Sequence, residues 1–274
     1  MRLRSIFLAP TALVMFLLFF VPLLIALAYS LLTRGPYGGV FPPWTIENYR
    51  RALDPLYLAI LWRSVWLAGV STALCLLLGF PLALYIARSA GHKTLLLNLV
   101  MLPFWTSFLI RTYAWMFLLR DTGLVNTLLQ SLHIVRAPLP LLFNDGAVVL
   151  GLVYGFLPFM VLPLYATLEK LDPALLDAAF DLGATPWVAL RRIIVPLSKP
   201  GIAAGCVLVF IPCLGAYLTP DLMGGGKPVM LGNLVQSQFT SARDWPFGAA
   251  VSLLLMLIVL LVARALGKQS EKLL

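Results

Sequence analysis

Residues 171–202 read LDPALLDAAFDLGATPWVALRRIIVPLSKPGI, a charged, proline-punctuated segment between two stretches apolar enough to cross a membrane. Asp172 and Pro173 form an N-cap and first-turn pair, and the helix they start runs through Leu175, Leu176, Ala179 and Phe180 to Gly183, a suitable left-handed stop. Thr185 and Pro186 repeat the pair at once. Trp187 to Val195 continue the second helix, Arg191 and Arg192 place cations in its last turn, and Pro196 is expected to end it. Pro200-Gly201 then lead back to apolar sequence. Joining two spans takes about 2 to 8 residues, so a segment of about 30 with two capped helices serves another purpose. A helix lying on the bilayer surface is the simplest one. Asp177 and Asp181, together with the small Ala178 and Ala179, instead suit docking into a protein groove better than contact with anionic headgroups.

The surrounding chain is built for lipid. Of its 274 residues, 61% are apolar and 11% charged, and the mean hydropathy is +0.95, outside the range of soluble domains. Six apolar runs reach span length, about Ile6–Leu32, Ser64–Ala87, Leu95–Leu119, Ala147–Leu168, Gly201–Leu222 and Phe247–Ala263. Their lack of strict alternation predicts a helix bundle and excludes a barrel. The first run is too long for a signal-peptide core, although Ala26-Leu27-Ala28 resembles a cleavage site. Pro22, Pro81, Pro103, Pro158, Pro163 and Pro212 fall in or beside these runs and predict bent spans. The turn-rich stretch 33–49 cannot continue a helix, and Trp44 begins a short interfacial one.

Six spans put both termini on one side. The connections on that side, residues 169–200 among them, carry 11 Lys or Arg in 55 positions against 9 in 90 on the other, which predicts cytoplasmic termini and a cytoplasmic 171–202 segment. The net charge of +9 comes from single basic residues at the edges of apolar runs, which fits lipid headgroups and argues against nucleic acid as a partner. Cys75, Cys206 and Cys213 lie within apolar runs, far in sequence from His92 and His133, and predict neither a disulfide framework nor a metal site.

The third run holds most of the polar content at membrane depth, including Trp105, Arg111, Tyr113 and Trp115. Arg111 must face a cavity, a carboxylate or the interface, because a central arginine costs about 2.5 to 3.5 kcal/mol on insertion scales. On an ideal helix Trp105 and Trp115 lie about 80° apart and share one side. Asp221 is the best-placed acid. Neither Gly226-Lys227 nor Gly267-Lys268 completes a phosphate-binding GxxxxGK[ST] loop, and no HExxH or GxSxG occurs. An intramembrane hydrolase and a proton-coupled carrier, which needs a relay of buried Asp, Glu or His, are both disfavoured.

The stretch DAAFDLGATPWVALRRIIVP (177–196) resembles the EAA motif of ABC-importer permeases: Asp177, Ala178, Ala179, Gly183, Ile193 and Pro196 fall on its register. Asp177 stands where glutamate is usual and Val195 where leucine is usual. Stretches 102–115, 220–228 and 243–250 resemble the spermidine/putrescine branch of that family. The resemblance implies an all-α bundle of six transmembrane helices, residues 1–274 forming one permease domain in the bacterial cytoplasmic membrane, with an EAA-type coupling loop at 169–200. It implies that Asp177, Ala178, Ala179, Gly183, Ile193 and Pro196 couple to an ATPase. The expected partners are two ATPase subunits, a second permease and an external binding protein. ATP and Mg are expected on the ATPase and no cofactor in this chain. Trp105, Arg111, Tyr113, Trp115 and Asp221 are the expected substrate path, for a polyamine or, in view of Arg111, for an anionic alternative.

Overall fold

In lipid no water satisfies a broken backbone, and the apolar runs accordingly become mostly helix. The computed structural model describes residues 2–89, 91–226 and 230–271; Lys227 and Pro228 of the 220–228 stretch lie outside the described residues. In order, α1 (Arg2–Ser30) precedes a two-residue antiparallel hairpin, β1 (Thr33–Arg34) with β2 (Val40–Phe41), then α2 (Glu47–Ala52) and α3 (Pro55–Arg88). Next, α4 (Lys93–Met101) passes through a 3₁₀ turn at Leu102–Trp105 to α5 (Phe108–Leu119), α6 (Leu124–Ser131) and α7 (Asp145–Leu168). The segment after α7 holds α8 (Ala174–Asp181), α9 (Pro186–Ala189), a π-helical turn at Leu190–Ile194 and α10 (Val195–Leu197). The remainder is α11 (Lys199–Leu214), α12 (Leu218–Gly224), α13 (Leu231–Phe239) and α14 (Trp245–Glu271).

Among the described residues, four helices, α1, α3, α7 and α14, are long and apolar enough to cross a membrane singly. Two bent pairs bring the number to six if each crosses once: Lys93–Trp105 with Phe108–Ser131, bent by 87°, and Pro186–Leu197 with Lys199–Leu214, bent by 66°. Two runs expected as single helices are therefore broken. In the run Leu95–Leu119, Pro103 removes a backbone donor, Thr106 turns extended with φ −87° and ψ 154°, and its hydroxyl donates to the Pro103 carbonyl at 2.7 Å. The run Gly201–Leu222 stops at Leu214. Gly215 and Ala216 lie against Gly232, where a Cβ would be 2.5 Å from each of their carbonyl oxygens, and Asn233 Nδ2 donates to Tyr217 O at 2.7 Å.

Contacts divide the chain into two compact units. The first comprises residues 1–59 and 234–258. Here Asn48 donates to the carbonyls of Ser30 and Leu32, at 2.9 and 2.8 Å, and so closes the end of α1. The buried Asp244 accepts from the Phe247 backbone at 3.2 Å, capping α14, and pairs with Arg51 at 2.9 Å, whose guanidinium lies 4.3 Å from the Phe247 ring.

The second unit comprises residues 60–233 and 259–274 and is organised around α7. Gly201 and Gly205 of α11 approach it so closely that a Cβ at Gly201 would lie 2.5 Å from Thr167 Oγ1 and 2.8 Å from the Pro163 carbonyl, and one at Gly205 would lie 2.6 Å from Met160 Sδ. On α7 itself, Gly151 leaves room for Thr219 and Met223 of α12, and Gly155 for Phe108 of α5. Helix α6 is inverted relative to a soluble amphipathic helix. Its Asn126 is fully buried and bonded to the Arg120 and Leu139 carbonyls and the Leu139 N–H, while Leu124, Leu128 and Leu132 are exposed.

Gly201→Ala is expected to destabilise the protein by about 1 to 3 kcal/mol through overpacking, whereas Gly69→Ala, with nothing within 4 Å of the added atom, leaves it unchanged. Thermal unfolding of the detergent-solubilised chain checks both.

Candidate coupling loop and substrate path

Both candidate regions lie within the second unit. The candidate coupling segment begins where Lys93, at the start of α4, pairs with Glu169 at 3.3 Å, directly after α7. Hydrogen bonding from the Tyr165 hydroxyl, followed by the Lys93 ammonium, holds the Glu169 carboxyl below its usual range. Asp172 Oδ1 then accepts from the Ala174 N–H at 3.0 Å, while the helix starts one residue later than expected, with Pro173 rather than Asp172 at its N-cap position. At the other end of α8 the Ala184 N–H reaches the Ala179 carbonyl and the Gly183 N–H the Phe180 carbonyl, both at 2.9 Å. This is a Schellman stop, and Gly183 adopts the left-handed φ of +81° it requires. Thr185 accepts from the Val188 N–H at 3.4 Å and caps α9 with Pro186 in the first turn.

Pro196 does not end the second helix. The widened π turn at Leu190–Ile194 lies directly before it, the chain continues helical to Leu197, and the bend falls at Ser198, whose hydroxyl donates to Ile194 O at 2.6 Å. The six motif residues separate into two groups. Asp177, Ala178, Gly183 and Pro196 are exposed, while Ala179 is buried and Ile193 half-buried, so the latter two hold the segment to its own scaffold. Around the first group stand Leu175, Phe180, Leu182 (88% exposed) and Trp187 (69%). These exposed apolar side chains are interleaved with acids and small residues.

The expected substrate-path residues do not share one face. Trp105 sits before the break at Thr106–Ser107 and is 70% exposed, whereas Trp115 sits after it and packs edge-on against Tyr154 at 5.5 Å between ring centroids. The 80° relation of an ideal helix does not hold across that break. Arg111 is 9% exposed, and its Nε and Nη1 are buried without a hydrogen-bond partner. Its guanidinium lies 5.5 Å from the Phe108 ring and lines a small crevice with Trp115, Gly151 and Tyr154. Among the described residues it pairs with no carboxylate, Asp221 included. Asp221 is exposed on α12. The Thr219 hydroxyl, on the same helix and against Gly151, is likewise buried and unpartnered.

Tyr113 instead lines a separate cavity of about 660 Å³ with Phe117, Arg120, Asp121, Leu142 and Phe143. Sequence reading missed this group because its far wall comes from the connection before α7. The near wall was legible: positions 113, 116, 117 and 120 recur at helical spacing. The glycine pairs Gly151/Gly155 and Gly201/Gly205 were also missed, although GxxxG in an apolar run signals close helix approach.

Comparison with known proteins extends this geometry. The chain is 46% identical over 250 residues to the spermidine/putrescine transport system permease protein PotB of Haemophilus influenzae, covering 90% of this chain and 87% of that protein. It is 44% identical over 261 residues to PotB of Escherichia coli, covering 92% and 94%. Among solved structures it resembles a chain of a bacterial alginate ABC transporter in complex with a pentasaccharide-bound periplasmic protein, with TM-score 0.79 and 19% identity over 98% of this chain and 94% of that one. A chain of the MetNI methionine ABC transporter gives TM-score 0.57 at 19% identity, covering 81% and 100%. The family described as "Binding-protein-dependent transport system inner membrane component" matches residues 3–272, and the chain belongs to that family.

Proposed function

We propose that this chain is the permease subunit of an ATP-driven ABC importer and forms part of the transmembrane path for polyamines, spermidine and putrescine, delivered by an external binding protein. The observation that carries the reading is the 44 to 46% identity with PotB permeases along about nine-tenths of the chain. Residues 1–274 act as one permease domain in the bacterial inner membrane, with both termini and the loop 169–200 in the cytoplasm. The exposed Asp177, Ala178, Gly183 and Pro196, with Leu182 and Trp187 around them, dock on an ATPase subunit; Ala179 and Ile193 fix the shape of that surface from behind. Hydrolysis belongs to that subunit, which holds ATP and Mg. A second permease completes the path, and two ATPase subunits serve the pair.

Along the path, Trp105, Tyr113 and Trp115 offer aromatic faces to moving ammonium groups, each contact worth about 0.5 to 2 kcal/mol. Asp221 supplies a carboxylate. Arg111 favours a second reading, an anionic substrate, because a buried guanidinium lacking an acceptor is the feature an anion would satisfy.

Three outcomes are expected. In a chain stripped of Cys75, Cys206 and Cys213, single cysteines at the exposed positions Asp181 and Thr240 label from opposite sides, Thr240 in intact spheroplasts and Asp181 only after permeabilisation; labelling of both from outside overturns the orientation. Gly183→Asp leaves insertion intact and uncouples transport, since a non-glycine residue at a φ of +81° is strained by about 1 kcal/mol or more and adds charge to the docking surface. Unchanged binding-protein-stimulated ATPase activity refutes that assignment. Uptake of labelled putrescine and spermidine, normalised to assembled complex, decides the cargo. Arg111→Gln retains uptake of a polycation, while loss of uptake together with no competition by either polyamine establishes the anionic reading.

A further inference from the structure

The cavity beside Tyr113 lies outside every segment assigned a role above except for that one residue. We infer that it is a distinct weak binding site for an alkyl diammonium or triammonium ion, built from Tyr113, Phe117, Asp121 and Phe143. The inference rests on the polyamine reading and adds to it a place where cargo pauses on the permease.

The near wall is one helical stripe. Tyr113, Met116, Phe117 and Arg120 recur at i, i+3, i+4 and i+7 on α5 and its C-terminal flank, so they face the same space, and Asp121 follows where the helix has ended. The far wall is the irregular, bent approach to α7, from Pro140 to Phe143. Phe143 adopts a φ of +63°, a left-handed conformation rare for a bulky residue. Two contacts hold it there: its N–H donates to the Met223 carbonyl at 3.0 Å, and Gly225 leaves room for it, since a Cβ at Gly225 would lie 2.7 Å from Phe143 Cβ. The aromatic ring is thereby presented at the cavity rather than left to swing with the connection.

The volume of about 660 Å³ lies within the range of small-molecule sites. Its chemistry selects a flexible polycation. Apolar walls from Met116, Pro140 and Leu142 suit methylene segments, the three aromatic rings suit ammonium groups, and Asp121 is a carboxylate that forms no ion pair among the described residues. Arg120 also lines the space, with its guanidinium 5.8 Å from the Phe117 ring. It occupies part of that ring and repels a second positive charge, which keeps binding loose. A site on a transport path has to release what it captures, and a carboxylate opposed by a neighbouring cation has that property.

The test uses the assembled transporter in proteoliposomes, with uptake of labelled spermidine and putrescine resolved into KM and maximal rate. Asp121→Asn and Phe143→Leu are expected to raise KM three- to tenfold with little change in maximal rate, Asp121→Glu to restore it, and Arg120→Gln to lower it. Thermal unfolding midpoints within a degree or two of the wild type confirm that each variant is folded. If wild-type transporter moves polyamines and KM is unmoved by both Asp121→Asn and Phe143→Leu, the site is refuted while the polyamine reading stands. A rise in KM with Arg120→Gln, paired with no effect of Asp121→Asn, also refutes it, because that pattern belongs to an anion. Failure of the wild-type transporter to move either polyamine overturns the underlying reading itself.

Discussion

The second unit depends on how closely other helices approach α7, and glycine sets that distance. Within a membrane the hydrophobic effect does not drive helix against helix, so association relies on van der Waals contact, which strengthens as backbones come together. Gly201 and Gly205 on α11 place Thr167, Pro163 and Met160 where a β-carbon would otherwise stand, and Gly151 and Gly155 do the same for α12 and α5. Gly79 adds α3, with Met160 Cγ 3.0 Å from the space its side chain would fill. Five glycines thus bring four helices against one. Thr219, Met223 and the ring of Phe108 reach their positions because Gly151 and Gly155 carry no side chain.

The second constraint is the backbone itself, and prolines show where it yields. Pro22, Pro81, Pro158 and Pro163 sit inside continuous helices, although each lacks a donor. One turn beyond Pro163, the Thr167 hydroxyl donates back to the Pro163 carbonyl at 3.0 Å, adding a side-chain bond to the helix at that point. Pro103 differs because the residues after it can leave the helix and still satisfy themselves: Thr106 bonds back to Pro103 O, and α5 starts afresh at Phe108. Pro196 is an intermediate case. Its missing donor is absorbed by a π turn, and the bend is displaced to Ser198.

These differences explain what could be read from the sequence. Gly183, Thr185 and Pro186 are local signals whose meaning is complete within a few residues, and they form the stop and the cap their chemistry predicts, while Asp172 bonds the first N–H of α8 from one residue ahead of its N-cap. The break at Thr106–Ser107 was hidden because an apolar run with one proline reads the same whether bent or snapped. Likewise Pro212 and Gly215 do not announce that Gly232 will pack against the carbonyls following α11. The inverted face of α6 was equally opaque. Asn126 is buried because the Arg120 and Leu139 carbonyls converge on it, and only the folded chain brings Leu139 back.

The distribution of charge then constrains how a polycation could travel. Arg111 is enclosed, so its field is weakly screened, whereas Asp121 and Asp221 are exposed and act through solvent. A cation passing near Arg111 in a dry passage would meet repulsion that neither carboxylate, at its own location, offsets. The guanidinium leans on Phe108 and the crevice around it is small, which places it behind the helix seam rather than in an open channel. Tyr113 and Asp121 open on the separate, larger cavity, on the other side of α5 from Arg111, whereas Trp115 shares the crevice with Arg111. For a polyamine cargo, that separation keeps the buried Arg111 away from the groups that attract ammonium and leaves capture to the aromatic cavity.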